Sequence, residues 1–374
     1  MRGRLFATYW VLQYNPITFY LIASSGGYGI SGIRIAWALF VSTLFVILGV
    51  AVKHQVRLRH ILFVALGLLS ILLASFNEMS RFGEPLPGLY VTFIEFLLAY
   101  LVVVFFIPET FSTDLTKWRK WVYLFMGVNI IIWVLAVASG DSWGVFRAYI
   151  GGVTLNRLPD FMLPILLPSF ILSAGFFGSL LIISYILLTS YRTLYLGFIM
   201  AIAVNAIGSK ITKSALKIIF LIIVTSIIVT IVFPETLVIF ERLISAFMSE
   251  DKVLGEASKS QRFNDLVLLL EGLPSCLPFG CGSLDPITSA PLYNFSFFPV
   301  WSILAFGVGA LPFLLWLLFP IWSVIGHRDK GFNGAWIMMF FIAVAFPYVH
   351  YFPLTGVMAF FTYLVVDDRR WKKQ

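Results

Sequence analysis

The stretch "LPDFMLPILLPSFILSAGFFGSLLIISYILLT", residues 158–189, decides the topology of this chain. It is either one overlong apolar helix or a tight pair of short spans turning near Ser173-Ala174-Gly175. The choice arises because the whole chain is built for lipid. Hydrophobic residues make up 60% of it and charged residues 12%, and its mean hydropathy is +0.95, whereas soluble domains carry about a quarter charged residues. Apolar runs recur near 5–23, 31–52, 61–76, 89–107, 121–139, 157–173, 175–190, 194–209, 217–233, 300–323, 333–349 and 352–366. Each is long enough, or nearly so, to cross a hydrocarbon core about 30 Å thick.

Charge resolves the ambiguity, because cytoplasmic loops collect Lys and Arg. With a pair of spans at 158–189, the segments holding Lys53/Arg57/Arg59, Lys117/Arg119/Lys120, Lys210/Lys213/Lys217, Arg328/Lys330 and Arg369/Arg370/Lys372/Lys373 all face the cytoplasm. With a single helix, Lys210, Lys213 and Lys217 land outside. The pair is therefore expected. It gives an all-α polytopic membrane protein of about twelve transmembrane helices, one integral membrane domain over 1–374 with both termini cytoplasmic. The N-terminal run, interrupted by aromatic residues and Asn15-Pro16, reads as a first span rather than a cleaved signal. The net charge of +8 lies in short loops and at the C-terminus, where it sets topology, so nucleic acid is not expected as a partner.

This topology leaves residues 234–299 as the one large loop, on the outer face. Within it, "RFNDLVLLLEGL", 262–273, places Phe263, Leu266, Val267 and Leu270 at the spacing of a helix lying along the membrane surface. Pro274, Pro278, Gly280 and Gly282 then make a tight turn. Its N–H groups either face an anion as a nest or simply lead the chain into the next span. The short outer segments carry Arg34, Arg81, Arg147, Arg157 and Arg192 and no lysine. A guanidinium grips phosphate oxygens at two points and keeps its charge when half-buried. The set therefore suggests a phosphate-binding outer surface, although each arginine alone is equally a lipid-headgroup anchor or the partner of a nearby acid.

The sequence holds no Gly-Lys-Ser phosphate loop and no His-Glu-x-x-His, and its only histidines are His54, His60, His327 and His350. No metal or redox cofactor is expected from so sparse a set of ligands. Cys276 and Cys281, in "CLPFGC", form a small disulfide around Pro278 if the loop lies in an oxidising space, or stay two free, small apolar residues. Asp265, Glu271 and Asp285 in the loop, and His350 in "FPYVHYFPL", are candidates for a general base. The plainer reading makes them solvated charges and an interfacial histidine. Glu95, in "VTFIEFLLAY", differs from these, because an acid within a span is costly and faces a cavity or a partner. It is either half of an ion pair with an outer arginine or a substrate contact.

Taken together, "TSYRTLYLGFI" (189–199), a lysine-bearing inner loop, Arg262, "PFGCGS" (278–283) and "YNFSFFPVWSILAFGVGALPFLLWLL" (293–318) resemble the C-terminal half of the O-antigen polymerase and O-antigen ligase family. In that family a Ser-Arg opens a helix, and a large periplasmic loop with an arginine and a Pro-x-Gly-x-Gly turn leads through His-Asn into a Gly-containing span. The resemblance covers roughly residues 140 to 320. It implies a GT-C-like, metal-independent glycosyltransferase of the bacterial inner membrane, active at the periplasmic face on undecaprenyl-diphosphate-linked oligosaccharides, with a chain-length regulator as a possible further partner. Arg192 and Arg262 would stabilise the charge that grows on the diphosphate leaving group. Arg147 or Arg157, in "FRAYIGGVTLNRLPDF", would help hold the lipid-linked glycan. Where the ligases place a histidine this chain has Tyr293 before Asn294, and a phenol with pKa near 10 is a poor base at neutral pH.

That departure favours a polymerase, which joins lipid-linked repeats, over a ligase, which moves the finished glycan to lipid A-core or another acceptor. A transporter of the same lipid-linked glycan is the alternative from another class. Transporters are often built from two related halves with broken helices, and no internal repeat is visible here.

Overall fold

A computed structural model describes residues 2–13, 30–52, 56–83, 87–107, 149–150, 153–154, 270–283, 298–321, 339–340 and 352–367, with isolated positions at 127, 197, 200, 224, 266–267 and 336–337. Among these the architecture is helical: α1 (Arg2–Gln13), α2 (Ile30–Val52), α3 (Leu58–Phe82), α4 (Pro87–Phe106), α5 (Phe298–Ile321) and α6 (Phe352–Val366). The one β element among the described residues is a two-residue antiparallel ladder, Tyr149–Ile150 against Val153–Thr154. Helices stand where spans were expected near 31–52, 61–76, 89–107, 300–323 and 352–366, and α3 runs on past 76 to Phe82. The expected spans near 121–139, 157–173, 175–190, 194–209, 217–233 and 333–349, and with them the reading of 158–189, lie outside the described residues or are described at isolated positions only.

Two helices, α3 and α5, are long and apolar enough to cross a membrane. The exposure pattern of α3 shows which solvent it suits. Its buried stripe, His60, Phe63, Gly67, Ser70, Ile71, Ala74 and Glu78, follows the three- and four-residue steps of one helical face and contains polar and titratable residues. The opposite face is wholly apolar over its central turns and open, with Leu62 52% exposed, Leu66 55%, Leu69 51% and Leu72 66%. Water would favour the reverse arrangement, so polar inside and leucine outside is the pattern of a helix facing acyl chains. The outer face of α2 repeats it with Phe40, Leu44, Ile47 and Val50.

The centre of the assembly is α4. It packs along α6 and α2 and also touches α1 and α3, and the residues from Val102 to Ile107, just past its end, are all buried. Phe93 of α4 anchors an aromatic cluster with α5, its ring centroid 4.3 Å from those of Phe306 and Phe313 and 5.8 Å from that of Trp301. Such edge-on pairs set the geometry of a core that has few polar groups to orient it.

Polar contacts close the two ends of the bundle. At one end Arg57 and Arg59, at the start of α3, pair with Asp367 just beyond α6, the Arg57 contact being 2.6 Å. Burial raises the pKa of the Asp367 carboxyl, but the Tyr363 hydroxyl 2.6 Å away and the two guanidinium groups outweigh that effect and hold it below its ordinary value. His60 joins this end by bonding Tyr100 at 2.8 Å and stacking on Tyr363. At the other end of α3, Asn77, Glu78 and Arg81 meet residues 275–283.

The lipid-facing assignment of α3 predicts that a nitroxide at Leu62, Leu66 or Leu69, in bilayers, collides more often with dissolved oxygen than with a water-soluble nickel chelate. The reverse order of accessibility would put this face in water.

Candidate functional site

The site is assembled where α5 breaks. A regular α-helix would have the Leu304 and Ala305 carbonyls accept from N–H groups four residues on. Here Gly307 takes φ 57° and the chain tightens into a 3-10 turn over Gly307–Ala310. The Leu304 carbonyl instead accepts from Cys281 N–H at 2.7 Å and the Ala305 carbonyl from Gly282 N–H at 3.0 Å, while Val308 N–H donates to the Pro278 carbonyl at 2.9 Å. Residues 278–282 thus fill the break and satisfy backbone groups that lipid could not.

Gly280 makes this approach possible. Its φ is +86°, and a Cβ there would lie 2.1 Å from the Ala305 carbonyl oxygen. Gly282, at φ +83°, is held in the same way on its other side, where a Cβ would meet the Glu78 side chain at 2.5 Å. A disulfide between Cys276 and Cys281 closes the turn, and both sulfurs are buried. The disulfide alternative of the sequence reading is therefore the one observed. Burial is the unexpected part. Gly280, Cys281, Gly282 and Ser283 are buried between α3 and α5, although the sequence reads as a polar surface turn.

The last turns of α3 clamp this element. Glu78 is fully buried, and its two carboxylate oxygens accept hydrogen bonds from Tyr90 of α4 and Ser283 of the turn, one to each oxygen. Asn77 donates from its amide to the Gly280 carbonyl. Arg81 donates through Nη1 to Cys281 Sγ at 3.1 Å and through Nη2 to the Ser275 carbonyl at 2.9 Å. Helix α3, helix α4 and the turn are joined through one carboxylate, and a guanidinium lies beside it at the exposed edge. This geometry holds a loop in a fixed place against a membrane helix. With a hydrogen bond on each oxygen, Glu78 ties the turn to α3 and α4.

The structure brings together Gly280 and Gly282 of the candidate residues, together with Arg81 from the outer-arginine set. The N–H groups of Gly280, Cys281 and Gly282 all donate to carbonyls of the chain, Gly280 to Cys276 at 2.6 Å, so the donors of the suggested anion nest are already engaged. Glu271 is exposed on the helical segment 270–276, away from these contacts. Glu95 sits in α4 with Gln13 and Ser42 as its hydrogen-bond partners and no arginine among the described residues. Arg147, Arg157, Arg192, Arg262, Asp265, Asp285, Tyr293, Asn294 and His350 lie outside the described residues. Among the described residues no three His, Cys, Asp or Glu side chains gather in a group able to hold a metal ion. Sequence reasoning missed Asn77, Glu78, Tyr90 and Ser283. The signal was "NEMSR" at 77–81, a carboxylate and an arginine less than one turn apart at the end of an apolar helix. No family model, curated protein or solved structure matches the chain.

Two glycines separate backbone strain from contact. Gly83 also has positive φ, at +84°, but nothing lies within 4 Å of its Cβ position. Gly83→Ala is expected to cost about 1 kcal/mol, whereas Gly280→Ala adds a collision with the α5 backbone and is expected to cost roughly 3 kcal/mol or more. Thermal unfolding of the purified chain, followed by tryptophan fluorescence, should show the larger fall for Gly280→Ala. Equal falls would mean that the turn does not enter the break.

Proposed function

We propose that this chain is a polytopic membrane glycosyltransferase of the O-antigen polymerase kind, joining undecaprenyl-diphosphate-linked oligosaccharide repeats at the periplasmic face of the bacterial inner membrane. The observation that carries the reading is the "PFGCGS" turn. In the family this sequence resembles, a Pro-x-Gly-x-Gly element stands between the loop arginine and the following span, and here that element is closed by a disulfide, buried from Gly280 onward and hydrogen-bonded into the helix that follows it. Its disulfide suits an oxidising compartment, which supports placing this end of the bundle outside the cytoplasm. The arginines of the outer segments supply the other half of the argument. Cleaving the glycosidic bond to the carrier leaves a diphosphate whose growing negative charge needs preorganised cations. Arg192 and Arg262 take that role, with Arg147 or Arg157 on the lipid-linked glycan.

A second reading has one observation in its favour. Helices broken inside the membrane often bind substrate in transporters, and α5 is broken at Gly307. The break here is filled by the chain's own turn, which ranks a lipid-linked glycan transporter below the enzyme. Tyr293 in the histidine position ranks the ligase below the polymerase.

Lipopolysaccharide banding in a deletion strain, complemented with wild type or Arg262→Lys at equal expression, separates the readings, because lysine keeps the charge and loses the fork. The polymerase reading predicts that deletion leaves single repeats on the core and that Arg262→Lys fails to restore the ladder. Accumulated lipid-linked polymer with a bare core would mean a ligase, and repeats stranded on the cytoplasmic side would mean a transporter.

A further inference from the structure

Glu95, near the middle of α4, is fully buried, as are Gln13 of α1 and Ser42 of α2 beside it. Its Oε1 accepts two hydrogen bonds, from Gln13 Nε2 at 2.7 Å and from Ser42 Oγ at 2.8 Å. Ser42 has a single proton and gives it to Glu95. At the 3.1 Å contact between Tyr9 and Ser42 the phenol is therefore the donor. The hydrogen bonds run one way, from Tyr9 to Ser42 to Glu95, and converge on one oxygen. Two buried acceptors are left over, Glu95 Oε2 and Gln13 Oε1. They belong to groups already joined through their other atoms, and no basic side chain among the described residues contacts Glu95.

We propose that Glu95 binds a proton on Oε2 and donates it to Gln13 Oε1, closing a neutral acid–amide pair between α4 and α1. One hydrogen then satisfies both leftover acceptors at once. An ionised carboxylate would satisfy neither and would set an uncompensated charge among apolar helices, which is the costlier arrangement in hydrocarbon. Rotating the Gln13 amide by half a turn does not escape the requirement. It would bring an amide oxygen to 2.7 Å from Glu95 Oε1, a distance that itself demands a proton between two acceptors. A hard metal ion is the poorer occupant, since such ions take about six oxygen ligands and the leftover atoms number only two. The result is a one-proton site that ties α1, α2 and α4 together without charge, at a point where the sequence suggests an ion pair or a substrate contact. It stands independently of the glycosyltransferase reading.

Glu95→Gln replaces the O–H by an N–H at the same place. In the detergent-solubilised full chain it is expected to keep the folded yield and thermal midpoint near those of wild type. Glu95→Ala strands Gln13 and Ser42 and is expected to lower the folded-to-unfolded ratio by about tenfold or more. The infrared difference between wild type and Glu95→Gln at neutral pH should contain the C=O stretch of a protonated carboxylic acid and lack the paired carboxylate stretches. The proposal is overturned if Glu95→Gln fails to fold or falls as far as Glu95→Ala, or if the carboxylate stretches appear. It is overturned equally if sodium or potassium stabilises wild type but not Glu95→Gln.

Discussion

Three backbone hydrogen bonds between residues 278–282 and the break in α5 organise one end of the described structure. A helix in lipid cannot leave carbonyl and N–H groups unpaired. The interruption of α5 at Gly307 is therefore tolerable only because another piece of backbone fills it. The other features of this end follow from that requirement. Gly280 is present because a side chain would strike the α5 carbonyl, the disulfide holds the turn in shape, and Glu78, Asn77 and Arg81 pin it to α3. Part of a polar segment in a very apolar chain, Gly280 to Ser283, is thus buried against α3 and α5.

The same physics explains how polar residues are distributed elsewhere. Hydrophobic burial separates inside from outside in water, but in lipid the outer face is as apolar as the core. Packing and internal hydrogen bonds then distinguish the partners. Three polar groups join the described helices: Glu78 with Tyr90 and Ser283 at one end, Glu95 with Gln13, Ser42 and Tyr9 between α1, α2 and α4, and Asp367 with Arg57, Arg59 and Tyr363 at the other end. Each group joins elements far apart in sequence. Together with the Phe93 cluster, these contacts orient helices that share a uniformly greasy surface.

Much of the helical framework is legible in the sequence, because runs such as 31–52 and 89–107 have no other physical explanation. Glu95 is also legible as a residue needing a partner, since the cost of an acid in a span does not depend on context. The partners were not, because Gln13 and Ser42 look like ordinary polar residues until the helices are placed side by side. Glu78 was passed over for a related reason. At the end of a helix beside Asn77, Ser80 and Arg81 it has the composition of a solvated loop, and its burial comes from a turn some two hundred positions away. The glycines of "PFGCGS" could be recognised as a turn, but composition says nothing about whether a turn lies on a surface or inside a broken helix.

The insertion of the turn is most directly tested by hydrogen exchange on the full chain in lipid nanodiscs, read at the amides of Cys281, Gly282 and Val308. Backbone pairing between the turn and α5 predicts that these three amides exchange as slowly as those of the flanking α5 helix. Exchange at the rate of an exposed loop would contradict it and leave the break in α5 without an explanation.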